Sequence, residues 1–180
     1  MGDVALTTPV IRGFRAQYPD VGLTIVTQKA FEQYFYSIDN IDFFFPDYKA
    51  RHKGFAGILR LYRDLRKESP ADMVIDLHDV LRTKILRILF ALAAVPCRVI
   101  DKGRREKREV IRGRYRKPLK HSVERYADVF AAAGFPVVPA GVPCIIPSAP
   151  ALEEALHLPF KSEELNIGVA PFTRHVIKSW

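Results

Sequence analysis

Five segments of this chain pair chemically capable residues with positions where chemistry is commonly done. The first is Gly2-Asp3-Val4-Ala5-Leu6-Thr7-Thr8-Pro9. A glycine lets a ligand approach the backbone, and a helix start offers free N–H groups to an anion. Asp3 there is placed either as a general base or, more plainly, as a helix N-cap. The second is Asp76-Leu77-His78-Asp79, followed by Arg82, Lys84 and Arg87. It ends an apolar run, where α/β folds put their ligands. No other His or Cys is spaced to complete a metal site with His78. Arg82 is the best substrate contact of the group, because a guanidinium fork suits carboxylate or phosphate. The plainer account is a polar helix entry with a solvated basic face.

The third segment, Arg98–Lys120, carries 11 Lys or Arg and three acidic residues, a net of +8. The whole chain has 28 Lys plus Arg, 20 Asp plus Glu and a net of +8, so the remainder is neutral. Such a loop-like stretch could grip a phosphorylated head group or a nucleic-acid backbone, or simply be solvated. Tyr115 is its only aromatic residue, too few for a base-stacking platform. The fourth is His121 at a helix start, with Ser122 the expected cap. The fifth, Thr173 to Trp180, offers Thr173 and Lys178, a hydroxyl and an ammonium that could hold a diphosphate, though on the residues alone a charged tail is the plainer account. No GxxxxGK[ST], GxGxxG or serine nucleophile elbow occurs.

The elements that must position these residues alternate between helix and strand. Periodicity predicts helices over Val4–Gln17, Lys29–Tyr36, Phe55–Lys67, Leu81–Ala94 and Ser122–Ala133. Strands are expected at Leu23–Thr27, Ile41–Phe45, Met73–Leu77 and Arg98–Ile100. In the third helix, Phe55, Ile58, Leu59, Tyr62 and Leu65 are expected to face inward. Gly134 and Pro136 end the last helix. Alternation of this kind implies a parallel sheet with helices on both faces. From Pro136 to Leu165 six of the 13 prolines accumulate, which suggests a connector with a short helix near Leu152–Leu156. Leu165–Ala170 then reads as a fresh strand.

Composition agrees with a folded domain. Of the 180 residues, 48% are apolar and 27% charged, which excludes a disordered tail and a membrane-embedded chain. The longest apolar run, Ile88 to Cys97, is well short of the roughly 20 residues needed to cross a bilayer. No signal peptide is visible, and Cys97 and Cys144 read as small buried residues of a reduced, cytosolic protein.

Taken in order, the segments resemble glycosyltransferase family nine, the lipopolysaccharide heptosyltransferases. The residues that carry the resemblance are Gly2-Asp3-Val4, Leu6-Thr7-Thr8-Pro9, Arg12 and Tyr18-Pro19. MVIDLHDVLRT, IDKGRREK, HSVERYADVFAAAGFPV and IGVAPFTRHVIKSW continue it. The resemblance implies the N-terminal half of a GT-B fold, a Rossmann-like α/β domain facing a second domain across a cleft. It implies sugar transfer, with inversion, from an ADP-activated donor to the anionic lipopolysaccharide inner core, at the cytoplasmic face of the inner membrane. Asp3 would be the base, Thr173 and Lys178 would hold the donor diphosphate, and Gly2, Arg82 and Lys84 would meet the acceptor. No metal, cofactor or nucleic acid is expected.

Family members begin with a strand running into the Gly-Asp turn, near the middle of the sheet, and continue through a nucleotide-binding domain. The chain is therefore expected to comprise an acceptor-side domain over 1–146 lacking its first strand, a connector over 147–164 and the start of a second domain over 165–180. Truncated at both ends in this way, it is expected not to turn over donor alone. The competing reading is a non-catalytic module that binds nucleic acid or acidic lipid through Arg98–Lys120.

Overall fold

The computed structural model describes residues 2–141. The connector and second-domain segments, the helix near Leu152–Leu156, the strand at Leu165–Ala170, Cys144, Thr173 and Lys178 all lie outside these residues. Helix α1 (Gly2–Ala5) is followed by α2 (Thr8–Gln17), β1 (Thr24–Val26), a 3-10 turn (Lys29–Phe35) and β2 (Asp42–Phe44). Then come α3 (Gly54–Glu68), β3 (Val74–Asp76), α4 (Leu81–Leu92), β4 (Cys97–Val99), α5 (Arg104–Ile111) and α6 (Ser122–Ala132).

Helices cover both sheet faces, and the strands show why. Along β2, Phe43 packs with α2 and α6 in one apolar cluster, whereas Phe44 packs with α3 and α4 in another. Along β3, Ile75 joins the first cluster and Val74 the second. Successive strand side chains point to opposite faces, so a strand buried on both sides must be apolar at nearly every position. The expected α/β layering is thus present.

The sheet is not continuous. β1 pairs in parallel with β2, with Ile25 opposite Phe43, and β3 pairs in parallel with β4, with Ile75 opposite Arg98. The two pairs form separate sheets. Among the described residues no strand lies between them to supply the bridging hydrogen bonds. Both pairs nonetheless pack on one cluster, which takes Ile25 from one and Ile75 from the other.

Three local expectations need correction. The single helix over Val4–Gln17 is two helices, because Pro9 has no N–H to give the Ala5 carbonyl. The Thr8 hydroxyl donates to that carbonyl instead, at 2.8 Å, and the Thr7 hydroxyl donates to the Val4 carbonyl at 2.7 Å. In α3 the inward face is Gly57, Ile58, Leu61 and Leu65, with Leu61 fully buried. Phe55, expected inside, is 66% exposed on the first turn. The basic segment is not a loop throughout: it contains α5.

After α6 the chain returns along α2. Ala140 N–H donates to the Pro9 carbonyl at 2.8 Å, and the Gln17 amide donates to the Val138 carbonyl at 3.0 Å. Gly13 permits this contact, since a Cβ there would lie 2.2 Å from the Val138 oxygen.

Candidate functional site

The carboxyl end of β3 shows how the fold uses its charges. Asp76 is buried, and its Oδ1 accepts from the backbone N–H groups of His78 and Asp79, both at 2.9 Å. Its Oδ2 lies 3.1 Å from Arg87 Nε, an ionic approach without hydrogen-bond alignment. Asp79 takes a left-handed backbone conformation with φ of 42°, uncommon outside glycine and tolerated best by Asn and Asp. Its carboxylate meets Arg87 Nη2 at 3.1 Å and Arg104 Nη2 at 3.0 Å. The chain Asp76–Arg87–Asp79–Arg104 therefore fastens α4 and α5 to the end of β3. Arg87 is not part of a solvated basic face, as the sequence suggested. His78 is exposed, and no group of three metal-capable residues occurs among the described residues.

Arg82 stands apart from this network. Its guanidinium sits over the Tyr48 ring, with Cζ 3.8 Å from the centroid. It forms no ion pair or hydrogen bond among the described residues. The cation–π contact holds the group beside the ring and leaves its N–H groups available for a carboxylate or phosphate oxygen. Lys84 is exposed on the same helix. Two residues along a helix project about 200° apart, so Arg82 and Lys84 diverge and do not form one cation pair.

Asp3 lies inside α1 and is not an N-cap, which corrects the plainer reading of that residue. It is exposed, and its carboxylate makes no ion pair or hydrogen bond among the described residues. Helix α1 packs beside the 3-10 turn that follows β1, which places it at the carboxyl end of that strand. The buried Tyr126 hydroxyl donates to the Asp3 carbonyl at 3.4 Å. Burial pushes the Tyr126 phenol up, and the nearby Asp3 charge adds to the shift. Gly2 is exposed, and nothing crowds the space its missing side chain would fill. Asp3 thus lies toward the carboxyl end of β1 and Arg82 follows the carboxyl end of β3, the edge where open α/β sheets take ligands.

The basic segment is organised by Arg125, a residue sequence reasoning missed. The residue is only 7% exposed. Nη1 donates to the Asp101 carbonyl at 3.3 Å, Nε donates to the Lys120 carbonyl at 3.1 Å, and Nη2 pairs with Glu106. One guanidinium thereby anchors the segment near its start, on α5 and at its end. Gly103 makes room for it: φ is 60°, and a Cβ would lie 2.4 Å from Arg125 Nη2. The available signal was position, since Arg125 shares the buried face of α6 with Tyr126 and Val129. At the start of α6, His121 is the cap instead of Ser122. His121 Nδ1 accepts from Val123 N–H at 3.3 Å, and Glu124 accepts from His121 N–H at 2.8 Å.

A second unforeseen cluster is structural. His52 is buried, with Nδ1 accepting the Asp47 N–H at 2.9 Å and Nε2 at 2.9 Å from Asp64. Arg51 grips the same carboxylate through Nε at 2.6 Å and Nη2 at 2.7 Å. Hydrogen bonds from Arg51 and then His52 hold Asp64 well below the usual carboxylate range. Backbone N–H donors, that of Ala50 first, hold Asp47 low as well. Together they close the 47–53 corner onto α3. An open depression of about 370 Å³ between Arg15, Pro19 and Asp42 lies at the amino-terminal ends of β1 and β2, away from Asp3 and Arg82.

Comparison with known proteins gives one informative match. No protein-family model matches the chain, and no curated protein matches its sequence. Among solved structures, the glycosyl transferase family 9 protein from Veillonella parvula DSM 2008 superposes with a TM-score of 0.61 at 23% identity. The match covers 86% of this chain and 44% of that one, so the chain spans less than half the length of the protein it resembles. The likeness establishes a shared fold, and that fold is the one implied by the residues from Gly2 to Val137.

Proposed function

We propose that the chain forms the acceptor side of an inverting glycosyltransferase of the heptosyltransferase type. The observation that carries the reading is the unengaged carboxylate of Asp3 at the carboxyl edge of a fold shared with a family 9 glycosyltransferase. In this reading Asp3 removes the proton from an acceptor hydroxyl. The oxygen then attacks the anomeric carbon from the side opposite the nucleotide. The bond to the diphosphate breaks as the new bond forms, and configuration inverts. One base and a stabilised leaving group suffice for such a step.

Thr173 and Lys178 are proposed to meet the leaving diphosphate of an ADP-sugar by hydroxyl and ammonium contacts. No metal or cofactor is invoked. Arg82, pre-oriented on Tyr48, is proposed to hold an anionic group of the lipopolysaccharide inner core. Lys84 and Gly2 are assigned to the same acceptor, Lys84 from a different direction. The acceptor places the work at the cytoplasmic face of the inner membrane. No helix among the described residues is long and apolar enough to cross a membrane.

Transfer of labelled sugar from ADP-heptose to a core acceptor tests the proposal, in a catalytically competent form carrying the donor-binding half. Asp3→Asn should lower transfer by about 10²-fold or more while donor binding survives. Unchanged transfer would exclude Asp3 as the base. A module built only on Arg98–Lys120 predicts the reverse: no effect of Asp3, and loss of anion binding when Lys107, Arg108, Arg114 and Arg116 are neutralised.

A further inference from the structure

Helix α4 carries an apolar stripe on the wrong side for the core. Leu81, Ile88 and Leu92 are 76%, 60% and 81% exposed. At 100° per residue they fall within about 40° of one another and run about 16 Å along the helix. The stripe points directly away from Phe90, which is buried against Tyr62 in the second core. Packing therefore does not explain these three side chains. An aligned set of large exposed aliphatic groups marks a contact surface, unlike isolated ones.

The neighbourhood of the stripe is cationic. Arg104, the first residue of α5, reaches Asp79, two residues before Leu81. Helix α5, which carries part of the segment with a net of +8, thus starts near the Leu81 end of the stripe. Arg105, Lys107 and Arg108 on α5 are exposed, and α5 ends in Val110 and Ile111, at 40% and 84% exposure. Arg125 anchors this segment at both ends, and the Arg104–Asp79 pair ties the start of α5 to the turn before α4.

We infer that the α4 stripe and the adjoining basic helix α5 form a docking surface for a bilayer rich in anionic head groups. Apolar side chains that enter the interface, next to a dense cationic segment, are the combination that holds a protein on such a surface. A nucleic-acid backbone would satisfy the charge and leave the stripe in water. A second copy docked through the same face would bring two segments of +8 together. The inference does not rest on the glycosyltransferase reading, since it uses none of the residues assigned to transfer.

Flotation of the 180-residue chain with phosphatidylcholine vesicles, with and without phosphatidylglycerol, tests it. Binding should be about tenfold or more stronger with the anionic lipid. It should fall when salt rises from about 0.1 M to about 1 M, where screening shortens from ~10 Å to ~3 Å. Leu81→Asn/Ile88→Asn/Leu92→Asn and, separately, Arg105→Glu/Lys107→Glu/Arg108→Glu should each cut binding about tenfold or more, with unchanged circular dichroism. The charge-reversal variant keeps the test decisive should the first variant misfold. Equal binding to neutral vesicles would overturn the inference, as would full binding by either folded variant. So would a stripe-dependent dimer in light scattering, or duplex DNA outcompeting the vesicles.

Discussion

Asp3 and Asp76 are both aspartates at the carboxyl edge of the sheets, and the fold treats them in opposite ways. Asp76 is buried and spends its oxygens on two backbone N–H groups and Arg87. Asp3 is exposed and spends nothing on any described neighbour. Arg87 and Arg82 repeat the contrast among the cations: one lies between two carboxylates, the other on an aromatic ring with its fork open. Groups consumed by the fold hold elements together. Groups that the fold orients and leaves unpaired are the ones available to a substrate.

The largest expected effect on stability is at Asp76. Asp76→Ala leaves Arg87 facing a cavity and two part-buried N–H groups without their acceptor, and should cost about 3 kcal/mol in chemical denaturation. A loss below about 1 kcal/mol would mean that the end of β3 is held by something else. Gly103→Ala comes next. A β-carbon at positive φ, pressed on the Arg125 guanidinium, should cost about 1–2 kcal/mol and raise hydrogen exchange across α5.

A smaller effect follows from Asp64, whose carboxyl Arg51 and His52 hold low. A depressed carboxyl stabilises the fold fully above its unfolded value, near 4, and loses that contribution as pH falls below it. The stability gap between wild type and Asp64→Asn should stay constant from neutral pH to about 5 and close below about 4. The smallest effect returns to Asp3. Removing its charge should bring the Tyr126 phenol slightly down, visible as an earlier ultraviolet transition that Tyr126→Phe abolishes.

Sequence reading succeeded where the signal is local. The strand cores at 24–26, 42–44 and 74–76 follow from short β-branched or aromatic runs, and α3 and α6 from 3.6-residue periodicity. It failed where partners are distant in sequence. Nothing in the local pattern links Arg125 to Glu106 and Asp101, or His52 to Asp64, because those contacts exist only after folding. Helix α5 was missed because a run of charges carries no apolar stripe to reveal its period. The break at Thr7 was legible in principle: Pro9 cannot give its N–H, and it sits in the first turn of α2, where proline is tolerated. Of the candidate site, residue types were legible and engagement was not: only the structure separates Arg82 from Arg87.

The most direct test sets Asp3→Asn beside Asp76→Asn and measures unfolding and, in the same catalytically competent form, sugar transfer on both. The account predicts opposite outcomes. Asp3→Asn should unfold within about 0.5 kcal/mol of wild type and lose transfer by about 10²-fold or more, whereas Asp76→Asn should lose stability first. Transfer that survives Asp3→Asn, or a fold that depends on Asp3 as much as on Asp76, would contradict it.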